Sequence, residues 1–241
     1  MRMAACDVDG LDLLVFAAHP DDAEIGMGGT IAKHTRSGRR VGIIDLTYAE
    51  MSSNGDVETR QREAEEAGHA LGLAVRENLG LPDRRLASIP EQVDRMVSAI
   101  RRYRPRRVFA PYYVDRHPDH VACGKMAEEA VFNAKLRRYM PDVPAWTADS
   151  LIFYFINDAH APGIVVDITE DQARKMAALR AYRSQFEPGG SDPSAPGRIE
   201  TPLTRGYLEA VEARDRLLGQ PHRMAYAEGF IAKGPMRFDY F

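Results

Sequence analysis

A chain of 241 residues with 44% apolar and 28% charged side chains has the balance of a soluble globular protein, which excludes disordered and fibrous classes, and one hydrophobic core is the expectation at this length. The formal net charge of -3, from 32 basic against 35 acidic residues, gives no overall electrostatic case for a nucleic-acid partner. Cys6 and Cys123 are too few for a disulfide framework. The N-terminal apolar run, interrupted by Asp7, Asp9 and Asp12, does not read as a signal peptide, and no stretch approaches the ~20 apolar residues that span a membrane. A cytoplasmic location follows as the default.

Strand-like and helix-like segments alternate through the first two-thirds of the chain. That is the pattern of a Rossmann-like three-layer α/β/α sandwich with a mostly parallel sheet. Residues 11–18 read as a buried first strand, and residues 25–37 carry helix periodicity and stop at Gly38. A second strand at 41–46 precedes a helix at 59–71 that opens at Thr59, with Ala64, Ala67 and Leu71 on its inner stripe. A short strand at 75–78 follows. The next helix, 90–103, places Val93, Met96, Val97 and Ile100 on one buried face. A fourth strand at 108–110 leads to a helix over 119–138, and 151–156 and 164–167 have strand composition before a helix begins at Thr169. Residues 187–201 concentrate Gly, Pro and Ser and read as a surface loop or lid. A last helix at 203–218 and a strand-like AYAEGFIA end one expected domain over 1–241.

Two polar clusters carry the chemistry. The first strand runs into His19-Pro20-Asp21-Asp22-Ala23-Glu24, and the fourth into Asp115-Arg116-His117-Pro118-Asp119-His120. In a doubly wound sheet, strands one and four are neighbours, so both clusters meet in the crevice at the topological switch point. His19, Asp22 and His120 then form the two-histidine, one-carboxylate set of a hydrolytic zinc site. Asp21 is left free to take a proton as general base. His117 can stabilise an oxyanion and protonate a leaving amine, while Asp119 can orient a histidine.

A lone His-Pro-Asp is more often a turn with a helix cap, and Asp22 or Asp119 could be that cap; the pairing of two clusters favours the metal. His34, His69, His160 and His222 lack acidic neighbours at ligand spacing and read as structural. Gly26, Gly28 and Gly29 do not follow the strand directly, as a dinucleotide fingerprint requires, and suit close helix packing. Cys123, one turn after His120, fits a small buried residue better than a thiolate ligand.

His-Pro-Asp-Asp-Ala-Glu followed by His-Pro-Asp-His resembles the LmbE-like, GlcNAc-phosphatidylinositol de-N-acetylase family. Residues 175–186 (KMAALRAYRSQF) and 225–231 (AYAEGFI) are similar to its bacillithiol-pathway branch, which acts on N-acetylglucosaminyl-malate; other members act on inositol-linked or oligosaccharide conjugates. The resemblance implies one Zn2+ per chain, with Fe2+ a cellular alternative, on His19, Asp22 and His120. It further implies Asp21 as base, His117 as acid or oxyanion partner, and a trimeric or hexameric homo-oligomer. Arg60 is implied to contact the sugar; a solvated helix face is its other reading. Where some relatives carry a tyrosine two residues before the acid histidine, this chain has Asp115, with Tyr112 and Tyr113 nearby. Competing readings are a metal-binding domain without turnover, a two-metal phosphoesterase, and a nucleotide-binding Rossmann protein.

Overall fold

The computed structural model of the chain describes residues 10–158, 160–187 and 199–236. In chain order the elements are β1 (Leu13–Ala17), α1 (Asp22–Arg36), β2 (Val41–Thr47), α2 (Val57–Leu71), β3 (Val75–Leu81), α3 (Pro90–Tyr103), β4 (Arg107–Pro111), α4 (Pro118–Ala134), β5 (Ser150–Tyr154), β6 (Ile164–Asp167), α5 (Gln172–Ala181), the short α6 (Arg183–Phe186), α7 (Tyr207–Gly219) and β7 (Ala227–Ala232). The strands form one sheet in the order β3-β2-β1-β4-β5-β7-β6. Pairing is parallel from β3 to β5, and β7 runs antiparallel to both its neighbours.

The period-two rule of a strand explains the layers. Leu13, Val15 and Ala17 of β1 point into a core shared with α1, α2, α5 and α7, whereas Leu14, Phe16 and Ala18 face a second core shared with α3 and α4. Both faces of β1 are covered, which is why it reads as an unbroken apolar run. The expected stripe of α3 is met: Val93, Met96, Val97 and Ile100 are all fully buried. Cys123 is buried in the same core, and Cys6 lies outside the described residues.

Several boundaries differ from the sequence reading. α2 begins at Val57, because the Asp56 side chain caps it by accepting from the Thr59 N–H at 2.7 Å; Thr59 sits in the first turn. α4 stops at Ala134 instead of 138, and α5 starts at Gln172 instead of Thr169. A 3-10 turn at Pro202–Thr204 precedes α7, which starts at Tyr207. The reading of 187–201 as a loop or lid falls mostly on 188–198, outside the described residues. Among the described residues no helix is long and apolar enough to cross a membrane.

Candidate active site and metal centre

β1 and β4 are adjacent and parallel, so the loops leaving their carboxyl ends open into one crevice. That placement brings the two polar clusters together, as a topological switch point does. A cavity of about 290 Å³ opens there, lined by His19, Asp21, Asp22, Arg60, His117 and His120 among others.

The first cluster is built on a strained turn. Asp21 stands at the N-cap of α1 with φ 113° and ψ -26°, a region that residues other than glycine rarely occupy. It is pinned by the Arg60 guanidinium, which donates to Asp21 Oδ2 at 3.2 Å and to the Pro20 carbonyl. Asp22 turns back within the same loop and accepts from the His19 N–H at 2.8 Å. Its two oxygens then reach both histidines: Oδ2 is 3.4 Å from His19 Nδ1, and Oδ1 is 3.0 Å from His120 Nε2.

The helix caps are therefore Asp21 and His117, and neither Asp22 nor Asp119 holds that position. His117 Nδ1 accepts from the Asp119 N–H at 3.2 Å, so a neutral His117 carries its proton on Nε2. The Asp119 carboxylate accepts from the Arg84 N–H at 2.8 Å and lies 3.5 Å from His19 Nε2. Arg60 is only 2% exposed, which rules out the solvated helix face. Its Nε and Nη1 have no partner among the described residues.

Four further residues stand at the site: Asp115 belongs to the second polar cluster, whereas Asp83, Asn157 and Tyr207 have no local pattern in the sequence. Asp83, just past β3, approaches His19 Nε2 at 3.2 Å through Oδ1 and accepts from the Met51 N–H. Asp115 accepts from His120 Nδ1 at 3.0 Å and from the His117 N–H at 2.8 Å. Asn157, beyond β5, donates to the same Asp115 oxygen at 2.9 Å. Tyr207 at the start of α7 lines the cavity and donates to Asn157 Oδ1 at 3.2 Å. Tyr112 instead packs its ring against Phe153, Phe155 and His160.

Electrostatics sort these groups. Burial pushes the Asp21 carboxyl up to about 7, against the pull of Arg60. Burial acts on Asp22 in the same sense, but His120 and His19 hold it well below the carboxylate range. Desolvation opposes charge on His120, yet Asp22 and Asp115 carry it up to about 9. Burial and repulsion from His120 and His19 bring His117 down to about 4.

The donor set fits a divalent cation. Ligand atoms of His19, His117 and His120 lie within 4.8 Å of one another, as do those of His19, Asp83 and Asp119. Asp22 belongs to neither group but reaches His19 and His120 through separate oxygens, and nitrogen and oxygen donors of these kinds are those that hold divalent cations. Cation binding takes the place of protons on those imidazoles.

An α/β sheet with such a donor cluster at its switch point is an architecture that binds its ligands in the crevice at the carboxyl ends of the strands. A family model described as PIG-L, GlcNAc-PI de-N-acetylase, matches residues 14–131. The diacetylchitobiose deacetylase of Thermococcus kodakarensis is 31% identical over 189 residues, covering 72% of this chain and 70% of that protein. The probable N-acetyl-α-D-glucosaminyl L-malate deacetylase 2 of Bacillus subtilis is 31% identical over 188 residues, covering 73% and 83%. The crystal structure of the conserved protein TT1542 from Thermus thermophilus superposes with a TM-score of 0.84 at 42% identity, over 95% of this chain and 97% of that one. The chain belongs to the PIG-L, or LmbE-like, family of de-N-acetylases.

Proposed function

We propose that the protein is a zinc-dependent N-deacetylase that hydrolyses the acetamide of an N-acetylglucosamine conjugate, with the metal on His19, Asp22 and His120. One observation carries this reading: the two oxygens of Asp22 reach His19 and His120 at 3.4 and 3.0 Å, joining clusters from distant parts of the chain. Zinc held there, or ferrous iron in the cell, supplies a Lewis acid that lowers the pKa of water and polarises the acetamide carbonyl.

The chain's own residues do the rest. Asp21 takes a proton from the attacking water as the new C–O bond forms. His117, with Nδ1 occupied by the Asp119 N–H, donates from Nε2 to the developing oxyanion. The sequence reading also gave His117 the proton for the leaving amine. A neutral imidazole with that hydrogen bond has only its Nε2 proton to offer, so the proton held by Asp21 goes to the nitrogen as the C–N bond breaks. Acetate and a free aminosugar result. Arg60 holds Asp21 in place from the cavity wall.

An anionic aglycone, malate in the first instance, suits the cavity mouth. Exposed Arg116 lines it and forms no ion pair among the described residues, and a guanidinium suits a carboxylate. The alternatives are inositol-linked and oligosaccharide conjugates. Release of free amine from a panel of malate-linked, inositol-linked and oligosaccharide N-acetylglucosamine conjugates tests both reaction and substrate. The malate conjugate should be turned over with the highest kcat/KM, and Arg116→Ala should raise KM for it and not for neutral conjugates. No amine from any of them would overturn the reading, while equal losses on neutral conjugates would remove the carboxylate role. The cytoplasmic location and the trimer-based homo-oligomer implied by the resemblance belong to the same proposal, and light scattering tests the latter.

A further inference from the structure

α1 is two helical pieces that meet at Met27, whose φ of -150° leaves the helical region. In an unbroken helix the Ile25 carbonyl would accept from the Gly29 N–H, and that of Gly26 from the Thr30 N–H. Both N–H groups donate instead to the Glu228 carboxylate, at 2.9 and 2.7 Å. The freed Ile25 carbonyl accepts from Arg214 Nη2 at 2.6 Å. Arg214 Nη1 donates to the Ile156 carbonyl at 2.6 Å and to that of Phe155 at 3.4 Å.

Those carbonyls are placed meaningfully. Ile25 lies one helical turn beyond Asp22, and Ile156 immediately precedes Asn157; both isoleucines line the cavity. One planar guanidinium thus ties the turn that carries Asp21 and Asp22 to the segment that carries Asn157. Asn157 in turn holds Asp115, which orients His120.

Arg214 has a built seat. Lys175 Nζ bridges Asp215 Oδ2 at 2.6 Å and Glu228 Oε1 at 2.8 Å, with all three side chains buried, and Asp215 Oδ1 is 3.6 Å from Arg214 Nε. Two cations and two carboxylates compensate one another where a single buried charge would be prohibitive. Gly28 makes room for the lysine, since a Cβ there would stand 3.0 Å from Lys175 Cγ. The glycine run and the 175–186 and 225–231 stretches all contribute to this seat.

We propose that Arg214 is a positioning residue for the metal centre, setting the separation between the Asp22 turn and the Asn157 segment so that Asp22 and His120 meet one ion. The inference rests on His19, Asp22 and His120 being the ligands. It is tested by loading wild-type, Arg214→Gln and Arg214→Lys proteins with Co2+. The readouts are the visible spectrum, affinity against a chromophoric chelator, melting temperature, and kcat and KM separately.

Both variants should bind Co2+ more weakly, by up to about 10-fold, the lower bound for losing a direct partner of a metal ligand, with altered visible bands and kcat reduced more than KM is changed. Lysine keeps the charge but lacks the fork that serves two carbonyls, so it should not rescue; it carries the test if the glutamine variant does not fold. Wild-type spectrum and affinity with only a lower melting temperature would overturn the inference and leave Arg214 a structural residue. Wild-type protein that binds no Co2+ would instead overturn the ligand assignment itself.

Discussion

The two polar clusters look alike in sequence, His-Pro-Asp-Asp against His-Pro-Asp-His, yet they are held in different ways. The β1 cluster is locked: Asp21, Asp22 and Glu24 are buried, the turn is strained, and arginines from three other elements grip it. Arg60 of α2 holds Asp21, Arg76 of β3 donates to Glu24, and Arg214 of α7 holds the Ile25 carbonyl. The β4 cluster is more open, with Arg116 exposed and His117 partly so, and it is held by Asp115 and Asn157. Buried carboxylates with fixed geometry thus sit on the locked side, and the exposed Arg116 and half-buried His117 on the open side.

The largest effect should come from the locked side. Asp21→Asn keeps the shape and can still accept from Arg60, so metal content should stay at the wild-type level while kcat falls by about 10²–10⁴, the range for loss of a general base. Metal analysis beside steady-state kinetics checks both. Loss of the ion from this variant would show that the roles of the two aspartates are exchanged.

A smaller effect is expected where the open side is held. Asn157→Ala removes a donor to Asp115 and the acceptor of the Tyr207 hydroxyl, and should lower metal affinity or kcat/KM by about 10–100-fold. Chelator competition measures the first. An unchanged affinity and rate would mean that Asp115 alone orients His120.

The seat of the β1 cluster gives the smallest catalytic effect. A Cβ on Gly26 would stand 2.2 Å from Tyr154 Cδ2 and 2.9 Å from the Phe155 carbonyl oxygen, so Gly26→Ala should cost about 1–3 kcal/mol of stability, as overpacking does. Thermal or urea unfolding reports it, and a variant as stable as wild type would show that α1 can shift without penalty.

The difference between the clusters also explains what could be read from sequence. His19, Asp22, His117 and His120 were legible because each stands in a short motif directly after an apolar run, and the alternation of elements supplies the strand order that joins them. Asp83, Asn157 and Tyr207 were not, because each is a lone polar residue near the end of an element, and only tertiary packing shows which way it faces. Arg60 was ambiguous for a related reason: a helix rotated by one residue exchanges a buried face for a solvated one. The antiparallel direction of β7 was equally hidden, since AYAEGFIA has the same composition in either orientation. The break in α1 was foreshadowed by its glycines, but its partners, Glu228 and Arg214, come from the far end of the chain.

In the proposed site the two clusters share one ion through Asp22, whereas His19 with Asp83 and Asp119 forms a rival grouping at the same crevice. Zinc content per chain, measured by elemental analysis on wild-type, Asp22→Ala and Asp83→Asn proteins, separates them most directly. One zinc is expected in the wild type and in Asp83→Asn, and none in Asp22→Ala; zinc retained by Asp22→Ala and lost from Asp83→Asn would contradict a shared ion on Asp22.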